Sequence, residues 1–406
     1  MSILDKISDK NCWLDFLEYK RSSGHFFESE EKDLAEYIDN EDYLPVAEAI
    51  ALEKPFPLPL LREINKKGTD KKRRVFVFPR RENYILKLIA YLLHSYDALF
   101  APNLYSFRRG IGVKQAVYHI VSRPGIESAY TYKVDISDYF NSVDTEAVIS
   151  VLEESICDDK RLVSFISGIL REPRARFEGG IVEVRKGIMA GVPFSGFLAN
   201  LFLKDLDEYF FGNNILYARY SDDIIVFSRS KEQISECERK IKETLEAKML
   251  KVNEKKEFRT SPGEKWEFLG FSVSGKEIDI SEVSFEKIKA KMRRKARSLL
   301  RWKERKAASD KGAVKTFIRH FNRKMYDNPS LHDVTWALWY FPVINTSKTL
   351  KAIDEYAVSS ARFIASGNHS KKSYSLRYDT LKEWGYRNLV NSFYKFKEGK
   401  PLFDDE

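Results

Sequence analysis

The stretch Ile215-Leu-Tyr-Ala-Arg-Tyr-Ser-Asp222-Asp223-Ile-Ile-Val-Phe-Ser-Arg229 decides how the chain is read. Its two β-prone runs, Leu-Tyr-Ala-Arg-Tyr and Ile-Ile-Val-Phe, flank Ser221-Asp222-Asp223 and predict a hairpin with acids at its turn. Upstream, Tyr130-Thr-Tyr-Lys-Val-Asp135-Ile136 predicts a further strand that carries a carboxylate as it ends. An acid in so apolar a segment is costly unless something compensates it. Hard Mg²⁺ does so through oxygen ligands. Two such ions about 3.5–4 Å apart can activate an attacking hydroxyl and stabilise a leaving oxygen in phosphoryl transfer. The plainer alternative is that Asp222-Asp223 makes a polar turn, for which Asp is a favoured residue.

Outward from the hairpin, residues 130 to 280 read as β, α, α, β, β, α, β, β. They include one apolar helix over 192–211, a charged helix from Glu232 to Met249, and hairpin strands around Phe268-Leu-Gly-Phe271 and Glu277 to Ile280. That order predicts an α+β fold with an antiparallel sheet, not alternating βα units. Residues 2–54 predict acidic amphipathic helices with Leu14, Leu17, Leu34, Tyr37 and Ile38 at helical spacing, ended by Pro55-Phe-Pro-Leu-Pro59. A polar loop at Asn65 to Asp70, a strand at Arg74–Phe78 and a helix at Glu82–Leu99 follow. After 284 the chain reads as helices over 286–306, 311–326, 347–365 and 379–396.

The 406 residues contain 69 Lys and Arg against 60 Asp and Glu, with 43% hydrophobic content, which excludes a generally disordered chain. The charge is unevenly spread. Residues 1–60 hold six basic and fourteen acidic side chains, net −8, whereas residues 284–328 hold sixteen and four, net +12. Within 287–306 eleven of twenty residues are Lys or Arg, while Ile288, Met292, Ala296 and Leu299 form a narrow apolar stripe. One face packs and the rest is positive, which suits a nucleic-acid backbone better than an unpaired solvated face. Cys12, Cys157 and Cys237 are isolated, so neither structural zinc nor a disulfide framework is expected. The uncharged apolar run Thr335 to Ile344 is too short to span a bilayer, and Asp5 and Asp9 interrupt any signal peptide; a cytoplasmic protein without membrane contact is expected.

Tyr220-Ser-Asp-Asp223 between two hydrophobic strands resembles the YxDD motif of reverse transcriptases, and Val134-Asp-Ile-Ser-Asp-Tyr-Phe140 resembles their first catalytic-aspartate motif. Gly191-Val-Pro-Phe-Ser195 with Leu198-Ala-Asn-Leu201 is similar to the motif between them. Lys251-Val-Asn-Glu-Lys-Lys256 and Phe268-Leu-Gly-Phe271 resemble the lysine-bearing and primer-grip motifs, and Arg73-Arg74 with Tyr105-Ser-Phe-Arg-Arg-Gly110 resemble the fingers. Order and spacing match over about residues 60 to 330.

The resemblance implies a right-hand polymerase. Its divisions would be an acidic helical extension at 1–54, fingers at 55–129, a ferredoxin-like palm at 130–283, a basic helical thumb at 284–328 and a helical carboxyl-terminal extension at 329–406. It implies that Asp135, Asp222 and Asp223, with the Ile136 carbonyl, hold two Mg²⁺ ions, with Mn²⁺ as a substitute, and that Lys256 protonates the leaving pyrophosphate. Arg73, Arg74 and the backbone at Asp138 and Tyr139 would hold the triphosphate, and Phe140 would exclude a ribose 2′ hydroxyl. Ala190 and Gly191 would lie under the incoming base; Gly191 is otherwise a helix-entry glycine, Phe140 a core aromatic, and Lys71 to Arg74 a solvated loop. Arg108, Ser195, Leu269, Gly270, Arg293, Arg294, Arg297 and Arg301 would contact nucleic acid.

The expected partners are an RNA template, a DNA product and deoxynucleotides, and the expected activity is RNA-directed DNA polymerisation. Many relatives carry Gln where this chain has Ala190, which leaves template-independent or protein-primed synthesis as the alternative. The NAxxH and VTG signatures of retron enzymes are absent, as are the Cys/His ligands of a mobile-intron endonuclease; a catalytically inactive RNA-binding scaffold is opposed by the three intact aspartates. Trp336-Ala-Leu-Trp-Tyr-Phe341, the helix from Leu350 to Ile364 and Gly385-Tyr-Arg-Asn-Leu-Val390 resemble the extension of bacterial defence-associated, abortive-infection-like reverse transcriptases. That implies antiphage defence with a structured noncoding RNA; an oligomer is compatible with it. The aromatic run reads first as a packing core and second as a base-stacking surface.

Overall fold

The computed structural model describes residues 2–22, 26, 28–65, 72–184, 187–326, 335–368 and 375–400. The expected loop at 66–70 and Lys71 lie outside them. The chain divides into two compact units, the first of residues up to 22 with 28–262 and the second chiefly of residues from 263 onward, so the second begins before the boundary expected at 283.

The first unit holds strands β1 (Leu60–Asn65), β2 (Lys72–Val77), β3 (Tyr130–Asp135), β4 (Arg174–Phe177), β5 (Gly180–Glu183), β6 (Leu216–Tyr220), β7 (Asp223–Ser228) and β8 (Phe258–Thr260). They make two sheets, ordered β2-β1-β4-β5 and β6-β7-β3-β8. The second is antiparallel throughout and matches the expected hairpin. In β7, Ile224, Ile225, Val226 and Phe227 are all buried, because a central strand covered on both faces loses the in–out alternation. The helix Lys231–Ala247 packs on β3 and β7, and the helices Val113–Val121 and Lys204–Gly212 pack on β6.

The other sheet departs from expectation. β1 and the β4–β5 hairpin were not foreseen, and β1 pairs with β4 in parallel, so the sheets are not wholly antiparallel. Glu178 and Gly179 join β4 to β5 with φ of 48° and 84°, the double positive φ of a tight hairpin turn. The single apolar helix expected over 192–211 is two, Ser195–Phe202 and Lys204–Gly212. Leu203 leaves helical dihedrals (φ −112°, ψ 17°), and the second helix carries Asp207 and Phe210 inward. In the helix Lys10–Ser22 the buried face is Trp13, Phe16 and Leu17, and Leu14 is exposed. Trp13 fixes that register by stacking on Tyr43 at 5.1 Å.

The second unit contains the antiparallel strands β9 (Trp266–Phe268), β10 (Phe271–Ser274) and β11 (Glu277–Ile280). The helices Glu282–Lys306, Asp310–Met325 and Lys348–Ser366 pack on one another. In the first of these the buried residues are Ile288, Met292, Ala296 and Leu299, the stripe read from sequence. The helix expected at 379–396 is split into Tyr378–Glu383 and Leu389–Lys397. Gly385, at φ 92°, stops the first, and the Asn388 side chain caps the second by accepting from the Asn391 amide. Buried Asp354 ties these helices to Lys348–Ser366, accepting from the Tyr386 hydroxyl at 2.7 Å and from the amides of Leu389 and Val390 at 3.0 and 3.1 Å. Among the described residues no helix is long and apolar enough to cross a membrane.

Candidate active site

Strand pairing alone brings the three aspartates together. β3 and β7 run antiparallel with Asp135 directly opposite Asp223, a register that holds Cα atoms about 4.5–5.5 Å apart. Asp222 precedes Asp223 in the two-residue loop that joins β6 to β7, and its carbonyl accepts the Ile136 amide at 3.0 Å. The first loop residue, Ser221, has φ of 60°, as a type II′ hairpin turn requires. A serine in left-handed backbone needs outside support. Its amide donates to Ser106 Oγ at 2.8 Å, and its carbonyl accepts from Arg219 Nη1 at 3.3 Å.

Arg219 is fully buried, and its guanidinium grips Asp207 through Nε to Oδ1 at 2.8 Å and Nη2 to Oδ2 at 2.5 Å. It also donates to the carbonyls of Asn200 at 3.0 Å and Ala199 at 3.5 Å. Burial opposes the charge on Arg219, yet the contact with Asp207 outweighs it and holds the guanidinium pKa above its ordinary value. Asn200 joins the network through Ser106, accepting from its hydroxyl at 3.0 Å and donating to its carbonyl at 2.7 Å. Sequence reasoning assigned no role to Ser106, Asn200, Asp207 or Arg219. All four lie in or beside the segments that it singled out, and Arg219 carried the strongest signal, a charge inside an apolar strand.

The electrostatics favour a cation. Burial first, then the charge of Asp135, raises the Asp222 pKa, while Lys256 and Arg73 pull against the rise. Burial pushes Asp223 up to about 6, with Lys133 opposing and the other two aspartates adding to the rise. Lys133 Nζ lies 2.9 Å from Asp223 Oδ1. Asp135 accepts from Asn253 Nδ2 at 3.0 Å and from Lys256 Nζ at 2.6 Å. As they stand, no three His, Cys, Asp or Glu side chains among the described residues are placed to hold a metal ion. The donor set nonetheless fits a hard divalent ion: it is all oxygen, largely buried and mutually repelling, and Lys256 and Lys133 stand in for part of the missing positive charge.

The remaining expected residues divide into two groups. Arg73 and Arg74 are exposed on β2, and Ala190 is drawn against that strand, its carbonyl accepting the Phe76 amide at 2.8 Å. A Cβ on Gly191, at φ 96°, would meet the Phe76 carbonyl at 3.0 Å, so close approach to β2 explains this glycine. Asp138 caps the short helix Tyr139–Ser142 in left-handed backbone (φ 48°) and Phe140 is half-buried, its ring edge-on to Phe107 at 6.2 Å. Arg293, Arg294, Arg297 and Arg301 are exposed on the helix Glu282–Lys306. Leu269 and Gly270 form the two-residue turn between β9 and β10, with φ of 52° and 88°.

Two residues expected to contact nucleic acid have partners inside the fold. Ser195 is fully buried, its hydroxyl donating to the Met189 carbonyl at 2.9 Å. Arg108 turns inward and donates to the carbonyls of Ala101 and Leu104 at 2.9 and 3.1 Å. The Ser195 hydroxyl and the Arg108 Nη1 are thus both engaged with backbone carbonyls inside the fold.

A family model described as reverse transcriptase (RNA-dependent DNA polymerase) matches residues 64–273. Among solved structures the chain is similar to apo telomerase from Candida tropicalis truncated from its C-terminal domain, with 13% identity and a TM-score of 0.46 over 55% of each chain. It is also similar to the apo telomerase from Candida tropicalis, with 12% identity and a TM-score of 0.46 over 81% of this chain and 69% of that one. A third is the telomerase from Candida albicans in complex with a TWJ fragment of telomeric RNA, at 11% identity and a TM-score of 0.45 over 91% and 71%. The chain thus spans about half the length of the first of these structures. No curated protein matches in sequence.

Proposed function

Because the chain belongs to the reverse transcriptase family, we propose that it is an RNA-directed DNA polymerase that extends a 3′ hydroxyl with deoxynucleotides. The observation that carries this reading is the register of β3 on β7, which sets Asp135 opposite Asp223 with Asp222 in the adjoining turn. Asp135, Asp222 and Asp223, with the Ile136 carbonyl, would hold Mg²⁺, which when bound activates the attacking hydroxyl and stabilises the leaving oxygen. Lys256, now bonded to Asp135, would leave that carboxylate when metal enters and donate its proton to the departing pyrophosphate. Arg73 and Arg74 would hold the triphosphate, and Phe140 would stand against the sugar and exclude a 2′ hydroxyl. The exposed arginines of Glu282–Lys306 would follow the phosphates of a template duplex without reading its sequence.

The biological setting we propose is antiphage defence with a structured noncoding RNA as template. The segments that suggest a defence-type extension, 350–364 and 385–390, are knitted together through Asp354, which supports reading them as one folded element. The test is incorporation of deoxynucleotides by purified protein supplied with RNA template, primer and Mg²⁺. Incorporation that Asp222→Asn abolishes is expected; none by the wild type would reject the polymerase reading. Sequencing of nucleic acid that co-purifies from the native host tests the rest: a DNA complementary to one bound RNA is expected, and a product with no template in that RNA would favour untemplated synthesis.

A further inference from the structure

A cavity of about 540 Å³ opens in the first unit near the ends of β3 and β7 that lie away from the aspartates. Tyr130 pairs with Ser228 there, five residues along the strands from Asp135 and Asp223, which at about 3.4 Å per residue amounts to roughly 17 Å. Among the described residues no acidic side chain lines the cavity, whereas Arg123, Arg229 and His119 do. Each guanidinium is anchored by a neutral acceptor. Arg229 Nη2 donates to the Pro124 carbonyl at 2.7 Å, and Arg123 Nη2 lies 2.6 Å from His119 Nε2. His119 bonds the Tyr105 hydroxyl through Nδ1, and burial, then the Arg123 charge, holds its pKa below the ordinary value. Gly125, at φ 77°, lets Arg229 lie across the turn, since a Cβ there would come within 2.6 Å of Nη2. The two cations are therefore held in place without losing their charge to a carboxylate in the wall.

Asn103 lines the same cavity and is only 3% exposed. Its Nδ2 donates to the Asp207 carbonyl at 2.9 Å, but its Oδ1 has no hydrogen-bond partner among the described residues. That oxygen is sealed from solvent, so Asn103 serves the cavity as a fixed part of its wall and not as a contact for a ligand. Phe211, which is 54% exposed, and Ile215 give the cavity an apolar wall. We propose that the cavity binds a free nucleoside phosphate: its phosphate between Arg123 and Arg229 and its base against Phe211 and Ile215. Two cations match a single phosphate group, whereas a strand would require a row of cations.

The experiment is calorimetric titration of the full chain in EDTA, which separates the result from metal-dependent polymerisation, with AMP, inorganic phosphate and a 5′-phosphorylated oligonucleotide as probes. AMP is expected to bind with one equivalent and to raise the melting temperature of the wild type, a reading that needs no variant. Inorganic phosphate is expected to bind about tenfold or more weakly, because it cannot use the apolar wall. Arg123→Gln and Arg229→Gln, both at exposed positions, are each expected to weaken AMP about tenfold, and Arg174→Gln, outside the cavity, to leave it unchanged. The proposal is overturned by absence of AMP binding at millimolar concentration, by AMP affinity unchanged in both cavity variants, by phosphate binding as tightly as AMP, or by an oligonucleotide whose affinity falls in both cavity variants as much as that of AMP.

Discussion

Replacing Arg219 by Met removes the cation from an ion pair whose side chains are 0% and 1% exposed. Asp207 keeps the Tyr217 hydroxyl at 3.0 Å but loses its counter-charge, and the carbonyls of Asn200 and Ser221 lose donors at 3.0 and 3.3 Å. Breaking a buried pair from one side costs about 3–5 kcal/mol, against a net domain stability of about 5–15 kcal/mol. Hydrogen exchange of the β6 and β7 amides reads that loss directly, since these strands carry the pair and the turn. The double variant Arg219→Met with Asp207→Leu removes both charges, and apolar replacement of a buried pair is often close to neutral. It should therefore recover most of the protection. It should not recover nucleotide incorporation, because Ser221 in its strained turn still lacks the guanidinium donor. A loss under about 1 kcal/mol for the single variant, or a double variant no better than the single, would refute the idea that this pair braces the aspartate turn.

Three further outcomes are expected. Asp222→Asn should abolish incorporation yet leave metal-free thermal stability equal or higher, because one of three mutually repelling acids is gone; calorimetric melting in EDTA checks it. Arg297→Ala, at an exposed position, should weaken RNA binding alike for all sequences and reduce the slope of log K against log salt by about 0.7–0.9, read from binding at several salt concentrations. Gly270→Ala should destabilise the second unit by about 1–2 kcal/mol in melting experiments, since φ of 88° disfavours any Cβ and this one would crowd Ser284 Oγ at 3.1 Å and Tyr340 Oη at 3.2 Å.

Local signals carried much of the fold. The β6–β7 hairpin follows from two apolar runs around a polar turn, and the stripe Ile288, Met292, Ala296 and Leu299 follows from helical period alone. The β4–β5 hairpin carried a signal that went unread: Glu178-Gly179 is a two-residue turn of the kind Asp-Gly marks more plainly. The parallel pairing of β1 with β4 had none, because residues so far apart in sequence leave no periodic trace of their contact. The interruption at Leu203 falls where an uncharged, fully buried run gives way to Lys204-Asp-Leu-Asp-Glu208, but a change from apolar to amphipathic composition does not by itself break helical spacing.

The same desolvation reasoning that picked out Asp135, Asp222 and Asp223 reaches further than the aspartates when applied evenly. Arg219 sits in a strand as apolar as theirs and, being unable to shed its proton, must find an anion inside the protein. Asp207, a fully buried acid in the preceding helix Lys204–Gly212, meets that need twelve residues away. A charge in an apolar strand thus has two destinations. Where the neighbours are like charges, as at Asp222 and Asp223, the protein leaves a demand that an outside cation can meet. Where the neighbour is opposite, as at Arg219, the demand is met internally and the residue becomes a brace. Lys256 stands between the two cases: bonded to Asp135 yet on the accessible side of it, it can satisfy the carboxylate now and give it up when a harder cation competes. Sequence shows that the charges are out of place; only the register of β3 on β7 shows which of them are left for a ligand.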